Sequence, residues 1–288
     1  MKKRYEYGVV QGRLVPQVGS FIQSFPADHW MTEIKIAEKV GCTAIEWIAT
    51  PEFGFVNEKN PIINLDFTDK IHIRDNYHVN IDTLCLDEIP SLGLLTVLRK
   101  TYKHLKKLNV FGIQRIVLPL LEGASVTLPS ARGHELMSEM CNFIYSAKQQ
   151  DISISLETDL GCEELRGFID QLSKKSTESV YVTLDTGNLL RLGYDLIEYA
   201  QKFGERINNI HIKDACLGGA SVPLGHGRGQ LSRPKLNAML QHTKCDRLTF
   251  QTARIPENTD IETFKHNVAY VESAFEVGDG PNLHGIIW

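Results

Sequence analysis

Four residues with metal-binding side chains stand at the ends of short apolar runs in the second half of the chain. Glu157 ends ISISLE, Asp185 ends VYVTLD, His211 lies in INNIHIK and Gln251 ends RLTFQ, with separations of 28, 26 and 40 residues. Carboxylate, imidazole and amide groups together favour a hard or borderline divalent cation over a soft metal. The pattern therefore predicts one divalent ion, Mn²⁺, Mg²⁺, Co²⁺ or Zn²⁺, bound by these four side chains.

The elements that would position these residues are eight short apolar runs that alternate with longer segments of helical period. Apolar residues stand on consecutive positions in several runs, which is typical of parallel strands buried on both faces. Eight strand–helix units in 288 residues predict a single (β/α)₈ TIM barrel over residues 1–288. An open doubly wound sheet is the alternative, but no glycine-rich dinucleotide fingerprint follows the first run. The predicted strands are 5–10, 44–48, 80–86, 114–120, 152–157, 180–185, 207–213 and 247–251.

In such a barrel the carboxyl ends of the strands meet at one mouth, which brings further polar residues to the site. Lys213 would face this mouth by strand alternation and is a candidate catalytic residue that binds a substrate oxygen or phosphate. Its alternative role is to pair with Glu157 or Asp214. Arg13 and Arg254 would be neighbours because the last strand closes on the first, and two guanidinium groups suit a substrate phosphate or carboxylate. The alternative for both arginines is pairing with local acids.

Two more polar residues, one within a strand and one after a strand, would lie on the same face. Glu46 lies in the second strand, where it would bind substrate hydroxyls or pair with Arg13. Asn188, in DTGN, would hold a substrate hydroxyl or cap the following helix. Long segments follow three of the strands at 49–65, 121–131 and 214–232, and long loops of this kind often carry function.

Composition argues against several classes of protein. The net charge of −4 and the isoelectric point near 6.2 provide no basic surface for nucleic acid or anionic lipid. No run approaches the ~18 apolar residues that a membrane span needs. The six cysteines are scattered without a CxxC pair, as in reduced cytoplasmic proteins. We therefore expect a cytoplasmic protein with a small-molecule substrate and neither a nucleic-acid nor a membrane partner, and a homodimer stays possible.

Four segments carry a resemblance to a known family. ISLETDL, VTLDTGN, IHIKDA and SVPLGHGRG resemble the sugar phosphate isomerase/epimerase family of xylose isomerase-like TIM barrels. Tagatose and psicose 3-epimerases and endonuclease IV are relatives. The resemblance extends over nearly the whole chain and is most specific at Asp185, His211, Lys213 and Asp214. It implies a barrel enzyme that acts on a small sugar or sugar phosphate.

The resemblance also implies a ligand set of glutamate, aspartate, histidine and a second glutamate, with the two glutamates moving protons on opposite faces of the substrate. Glu157, Asp185 and His211 match this pattern, whereas Gln251 departs from it. An amide oxygen is able to bind a metal but does not take up a proton near neutral pH. The implied two-base mechanism is therefore in doubt at position 251.

The function expected from these observations is a metal-dependent isomerase or epimerase that works through an enediolate, with Glu157 as the main acid/base. The alternative is a dehydratase-type or non-catalytic barrel that binds a sugar or hydroxy acid. A nuclease like endonuclease IV is disfavoured because IEWI and TLCLDE, at the ends of the second and third strands, lack the histidines of that enzyme.

Overall fold

Parallel strands close into an eight-stranded barrel in the computed structural model, which describes residues 5–19, 23–66, 68–69, 73, 76–124, 131–176 and 178–276. Each of the eight predicted strands is present, so the (β/α)₈ barrel is confirmed. The barrel strands are β1 (Glu6–Val10), β2 (Ala44–Ile48), β3 (Asn80–Cys85), β4 (Arg115–Leu120), β5 (Ser153–Thr158), β6 (Tyr181–Asp185), β7 (Ile207–Ile212) and β10 (Arg247–Phe250).

The barrel closes in the order β1-β10-β7-β6-β5-β4-β3-β2, so β10 lies between β7 and β1. Two short strands in the segment after β7, β8 (Asp214–Ala215) and β9 (Ser221–Val222), form a separate antiparallel ribbon. This ribbon was not predicted. Residues 125–130 of the predicted loop 121–131 lie outside the described residues.

Helices cover the outside of the barrel, and their buried faces pack against the outward side chains of the strands. The described helices are α1 (Trp30–Val40), α2 (Pro61–Asn64), α3 (Ile89–Leu92), α4 (Leu94–Tyr102), α5 (Leu105–Phe111), α6 (Ala131–Lys148), α7 (Cys162–Ser176), α8 (Thr186–Arg191), α9 (Leu196–Phe203), α10 (Arg233–Leu240) and α11 (Asp260–Ala274). Among these described helices, none has the length and apolar character that crossing a bilayer requires.

Strand register places the polar strand ends at a common level. Asp185 on β6 lies directly beside His211 on β7, and Thr249 on β10 is the partner of His211 on the other side. The backbone N–H of Gln251 donates to the carbonyl of Ile212 at 3.1 Å. The register therefore fixes which side chains share the mouth of the barrel.

Candidate metal centre and active site

Three consecutive strands, β5, β6 and β7, bring Glu157, Asp185 and His211 together. Each offers one ligand atom, and these atoms lie within 4.8 Å of one another. The His211 Nδ1 atom is 3.6 Å from Glu157 Oε2 and 3.8 Å from Asp185 Oδ2. All three side chains are buried. The structure thus assembles the three predicted ligands that carry a charge or an imidazole.

Two of the ligand atoms have no hydrogen-bond partner. These are His211 Nδ1 and Asp185 Oδ2, both buried. Buried polar atoms are almost always hydrogen-bonded, so a converging pair without partners needs an explanation. A divalent cation between them and the Glu157 carboxylate would satisfy both atoms, and hard cations prefer these donor types. The residues present therefore fit a metal ion.

The second ring nitrogen of His211 contacts Glu46. His211 Nε2 lies 2.9 Å from Glu46 Oε1, and Asn209 Nδ2 donates to Glu46 Oε2 at 2.8 Å. A carboxylate that accepts the proton on one ring nitrogen leaves the other nitrogen with a lone pair for a metal. Glu46 was predicted to bind substrate hydroxyls or to pair with Arg13. The Glu46 carboxylate contacts His211 and Asn209 at 3% exposure, where it is placed to orient the imidazole, and its binding of substrate hydroxyls stays a prediction.

Lys213 extends over the rim of the site. Its ammonium group donates to Asn188 Oδ1 at 3.5 Å and to Gln251 Oε1 at 3.4 Å, and it lies 3.9 Å from Asp185 Oδ2. Its ion pair is therefore with Asp185, where the alternative prediction named Glu157 or Asp214. The ammonium group is partly exposed, so it borders both the ligands and the open mouth.

Gly187 gives Lys213 the space for this position. A Cβ atom at residue 187 would lie 2.5 Å from Lys213 Cγ, closer than any real side chain allows. Sequence reasoning used DTGN only for its aspartate and asparagine. The glycine between them lets the lysine side chain cross the start of α8.

Asn188 does not cap the following helix, because Asp185 holds that position, and its contact with a substrate hydroxyl stays a prediction. Its backbone N–H donates to Asp185 Oδ1 at 2.8 Å, which makes Asp185 the cap of α8. Its side-chain Nδ2 donates to Glu157 Oε1 at 2.8 Å. Because one carboxylate oxygen of Glu157 is held by Asn188, the other, Oε2, is the oxygen directed at His211.

The charges in this buried cluster give the carboxyl groups of Glu157 and Asp185 very different pKa values. Burial raises the pKa of Glu157 to about 8, with repulsion from Asp185 adding to the effect and His211 and Lys213 opposing it. Burial also disfavours the ionised form of Asp185. The charges of Lys213 and His211, with the N–H of Asn188, outweigh burial there and lower the pKa of Asp185 to about 2. Glu157 is therefore the group suited to exchange protons near neutral pH.

The His211 imidazole is surrounded by negatively charged side chains, and these change its pKa. Burial alone would lower the pKa of His211, but the charges of Glu46, Asp185 and Glu157 raise it well above its usual range. Three carboxylates around one imidazole make a site that attracts positive charge. A proton and a metal ion therefore compete for the same ligands.

Gln251 lies next to the cluster at the end of β10. Its carbonyl oxygen accepts a hydrogen bond from the Lys213 ammonium group at 3.4 Å. A ligand role for this amide stays a prediction.

Arg254 is occupied by the loop that follows β1. Its Nη2 donates to the carbonyl of Gly12 at 2.6 Å and to that of Val15 at 3.0 Å, and Nη1 forms an ion pair with Asp260. These contacts fix the loop. The predicted binding of substrate by Arg254 would have to use guanidinium N–H groups that take no part in these contacts.

Arg13 is a neighbour of Arg254, as the closure of the barrel predicted. Burial lowers the pKa of Arg13 to about 10, and the positive charge of Arg254 contributes to this shift. Arg13 Nη2 donates to Gln23 Oε1 at 2.9 Å. Both arginines line a cavity of about 10 Å³ beside Thr263 and Asn267 of α11. Their predicted contact with substrate stays a prediction.

Two carboxyl groups near the mouth were missed. Glu33 of α1 is fully buried and accepts hydrogen bonds from Gly12 N at 2.8 Å and Leu14 N at 3.0 Å. Asp87 follows β3 and is partly exposed. The sequence signal for Asp87 was present, since an acid after an apolar strand also marked Glu157. Glu33 had no such signal, because an acid in the first turn of a helix is common.

Comparisons with known proteins agree on the fold. No family model matches the chain, and no curated protein matches it. Among solved structures, the xylose isomerase domain protein from Planctomyces limnophilus has a TM-score of 0.68 at 15% identity, covering 95% of this chain and 98% of that one. An L-ribulose 3-epimerase has a TM-score of 0.66 at 13% identity, covering 94% and 95%.

A third solved structure is a xylose isomerase-like TIM barrel protein from Mycobacterium smegmatis in complex with magnesium. Its TM-score is 0.62 at 16% identity, with 94% of this chain and 97% of that chain covered. This chain therefore has the same β/α-barrel fold as these three solved structures. The resemblance inferred from the four sequence segments is thereby confirmed at the level of the fold.

Proposed function

We propose that the protein is a divalent-metal-dependent isomerase or epimerase of a small sugar or sugar phosphate. The observation that carries this proposal is the convergence of His211 Nδ1 and Asp185 Oδ2, both buried without a hydrogen-bond partner, on the Glu157 carboxyl group. This cluster lies at the carboxyl end of a β/α barrel, where barrel enzymes place their chemistry. Glu157, Asp185 and His211 would hold the ion, and Gln251 would be the fourth ligand.

A bound divalent cation would supply Lewis-acid stabilisation of negative charge on substrate oxygen. Glu157 would remove the proton from the carbon next to the substrate carbonyl, which leaves an enediolate. The protonated carboxyl group of Glu157 would then return that proton to the enediolate. Asn188 holds Glu157 Oε1 and so fixes the orientation of the reacting carboxyl group. Lys213 would stabilise the oxygen that gains charge.

The solved structures of the same fold support this proposal. One is described as an L-ribulose 3-epimerase, and another contains magnesium. We expect a sugar or sugar phosphate as the partner of this chain, with Arg13 and Arg254 as candidates for an anionic substrate group. The proposal includes a cytoplasmic location, no binding of nucleic acid or membrane, and a homodimer as an open possibility.

One observation favours a second candidate function. Position 251 carries an amide that accepts from Lys213 and does not serve as a base. A sugar-binding barrel without turnover, or a dehydratase that needs one base, would also tolerate this residue. Exchange of a substrate C–H hydrogen with solvent separates these cases, because a binding barrel exchanges none.

The metal site is tested by elemental analysis of the purified protein after incubation with Mn²⁺, Co²⁺ or Zn²⁺. We expect about one equivalent of metal in the wild type and none in the Asp185→Ala/His211→Ala variant. The matched control is Asp170→Ala/His242→Ala, which changes the same residue types at exposed positions. A wild-type protein that stays free of metal would contradict the proposal.

The reaction is tested with Glu157→Gln on a panel of ketoses, aldoses and their phosphates. We expect turnover to fall by about 10²–10⁴-fold, the usual contribution of an acid/base group, with the thermal unfolding transition retained. Glu163→Gln, at an exposed glutamate of α7, is the control. Full turnover in Glu157→Gln would exclude Glu157 as the acid/base.

A further inference from the structure

A cavity of about 400 Å³ lies between the segment that follows β7 and the helices α10 and α11. Its walls include Asp214, His226 and Gly229 from that segment, Arg233 at the start of α10, and Tyr270 of α11. The described residues that line it include no member of the metal-ligand cluster. Cavities of this size hold small ligands. The chain therefore has room for a second binding site.

The glycines of the loop PLGHGRG, residues 223–229, hold this loop close to two walls of the cavity. Gly225 has a φ of +79°, and a Cβ atom there would lie 3.1 Å from Tyr270 Cε2. A Cβ atom at residue 229 would lie 2.0 Å from Asp214 Oδ2, which is closer than any real contact. Because residue 229 is a glycine, no loop side chain occupies the space beside Asp214 Oδ2.

Asp214 has one carboxylate oxygen bound and one without a partner. The residue is 1% exposed, and its Oδ1 atom accepts from the backbone N–H groups of Ala215, Gln230 and Leu231 at 2.8, 2.7 and 2.9 Å. Within the described part of the chain, no group donates to Oδ2. Oxygens of buried carboxylates nearly always have a donor, so Oδ2 is available to a ligand.

Arg233 presents a guanidinium group with a fixed orientation. Its Nε donates to Ser273 Oγ at 2.6 Å, and its central carbon lies 4.5 Å from the centroid of the Tyr270 ring. No described carboxylate forms an ion pair with Arg233, and no described group accepts from its Nη1 or Nη2. Two unused N–H groups on a planar guanidinium suit a phosphate or carboxylate.

His226 adds a further donor to the cavity. Its Nδ1 accepts from the backbone N–H of Arg228 at 3.2 Å. In a neutral imidazole that accepts through Nδ1, the ring proton is on Nε2. Nε2 is therefore a donor, which suits the same anionic group.

We propose that this cavity binds a small hydroxylated anion. Its phosphate or carboxylate group contacts Arg233 and His226, and one of its hydroxyl groups donates to Asp214 Oδ2. Asp214 and Arg233 carry opposite charges and line the same cavity, yet they do not pair with each other. A ligand with both groups satisfies both side chains. Three N–H groups already stabilise the charge of Asp214 at Oδ1, so a neutral hydroxyl donor is sufficient at Oδ2. The site is independent of the metal centre and of the proposed isomerase function.

The test is isothermal titration calorimetry on the metal-free, full-length protein. The probes are glycerol 3-phosphate and glycerate, which carry both groups, and inorganic phosphate, acetate and glycerol, which carry one kind. We expect glycerol 3-phosphate or glycerate to bind roughly tenfold more tightly than its partner without hydroxyl groups, as one hydrogen bond to a charged group allows. The order of these two probes shows whether the site prefers phosphate or carboxylate.

Arg233→Gln should weaken binding of the hydroxylated anion by about tenfold or more, because it removes the charge and the paired N–H groups. Arg228→Gln is the matched control, since Arg228 is an exposed arginine of the same loop. Arg233 is itself exposed, so its replacement should leave the fold intact. Equal affinities in Arg233→Gln and the wild type would overturn the proposal.

Asp214→Asn tests the hydroxyl contact. The amide keeps an oxygen for the three backbone N–H groups but replaces the other oxygen by a donor. We expect the preference for the hydroxylated probe to disappear, with Asp246→Asn, at an exposed aspartate, as control. A preference that persists in folded Asp214→Asn would overturn the assigned contact.

A last comparison separates this cavity from the barrel mouth. Asp185→Ala/His211→Ala should bind the hydroxylated anion as the wild type does, because neither residue lines the cavity. Binding that is lost in this variant and kept in Arg233→Gln would place the ligand at the metal centre and overturn the proposal. Failure of the wild type to bind either hydroxylated anion at millimolar concentration would overturn it as well, and would leave the metal-dependent function untouched.

Discussion

Glu46 shows how a single residue acquires a role from its surroundings. Glu46 belongs to a buried group with His211, Asp185 and Glu157. Its carboxylate contacts the His211 Nε2 atom and not the ligand atom Nδ1. A carboxylate in this position fixes the ring orientation and raises the basicity of the ligand nitrogen. We therefore class it as a positioning residue.

Replacing Glu46 by Gln should weaken metal binding by about 10- to 100-fold, the usual effect of losing such a partner. The amide keeps the size of the side chain but removes the charge that orients the proton on His211 Nε2. Titration of Mn²⁺ into the metal-free protein measures the change, with Glu52→Gln at an exposed loop position as control. Equal affinities in the Glu46 variant and the wild type would contradict the positioning role.

Gln251 is the residue that departs from the pattern implied by the resemblance. If its amide oxygen is a ligand, Gln251→Glu should tighten Mn²⁺ binding by about tenfold, or ~1.4 kcal/mol, because it adds a negative charge to the site. Gln241→Glu adds the same charge at an exposed position and serves as control. An unchanged affinity for Mn²⁺ would mean that residue 251 accepts a hydrogen bond from Lys213 and does not contact the ion.

At the scale of elements, the loop after β1 is held from two directions. Glu33 accepts from the N–H groups of Gly12 and Leu14, while Arg254 donates to the carbonyls of Gly12 and Val15. Gly12 has a φ of +90°, and a Cβ atom there would lie 2.8 Å from the carbonyl of Ser24. A glycine is needed at this turn for both reasons. These contacts link α1, the segment after β10 and the loop that carries Arg13.

The pH dependence of stability should report on Glu33. Burial raises the pKa of Glu33 from 4.5 to about 7 despite its backbone hydrogen bonds. The folded state therefore binds more protons than the unfolded state between these values, so stability is lost as pH rises from 4.5 through 7. A shift of this size corresponds to about 3 kcal/mol.

Urea unfolding at pH 5 and pH 8 checks this contribution. Glu33→Gln lacks the titrating group, so its free energy of unfolding should fall less than that of the wild type between the two pH values, by up to about 3 kcal/mol. The comparison with wild type cancels the other groups that titrate in this range. Identical pH dependence in both proteins would show that the Glu33 carboxyl group keeps an ordinary acidity when folded.

At the scale of the whole molecule, the candidate metal site joins side chains of β5, β6 and β7 in one closed barrel. Because an ion that binds only the folded protein stabilises it by mass action, Mn²⁺ at 100 times its dissociation constant should add about 2.7 kcal/mol. The midpoint of thermal unfolding should rise by roughly 5–10 °C in a chain of this size. Differential scanning calorimetry measures the shift. Asp185→Ala/His211→Ala should show none, and an equal shift in that variant would locate the ion elsewhere.

Much of the architecture follows from local sequence. Consecutive apolar residues define each barrel strand because both of its faces are buried, and the runs recur with helical segments between them. Glu157, Asp185 and His211 could be grouped in advance, since the carboxyl ends of parallel strands share one face. The ribbon of β8 and β9 was not foreseen, because two-residue strands have too few residues to show alternation.

The contacts of Glu46 and Arg254 depend on how the barrel closes. Glu46 and His211 are 165 residues apart and meet at 2.9 Å because β2 and β7 both project side chains into one interior. Arg254 reaches the loop after β1 only because β10 pairs with β1. Local sequence specifies which residues end a strand. Which side chains then face one another depends on register and strand order, and these arise from pairing between distant parts of the chain.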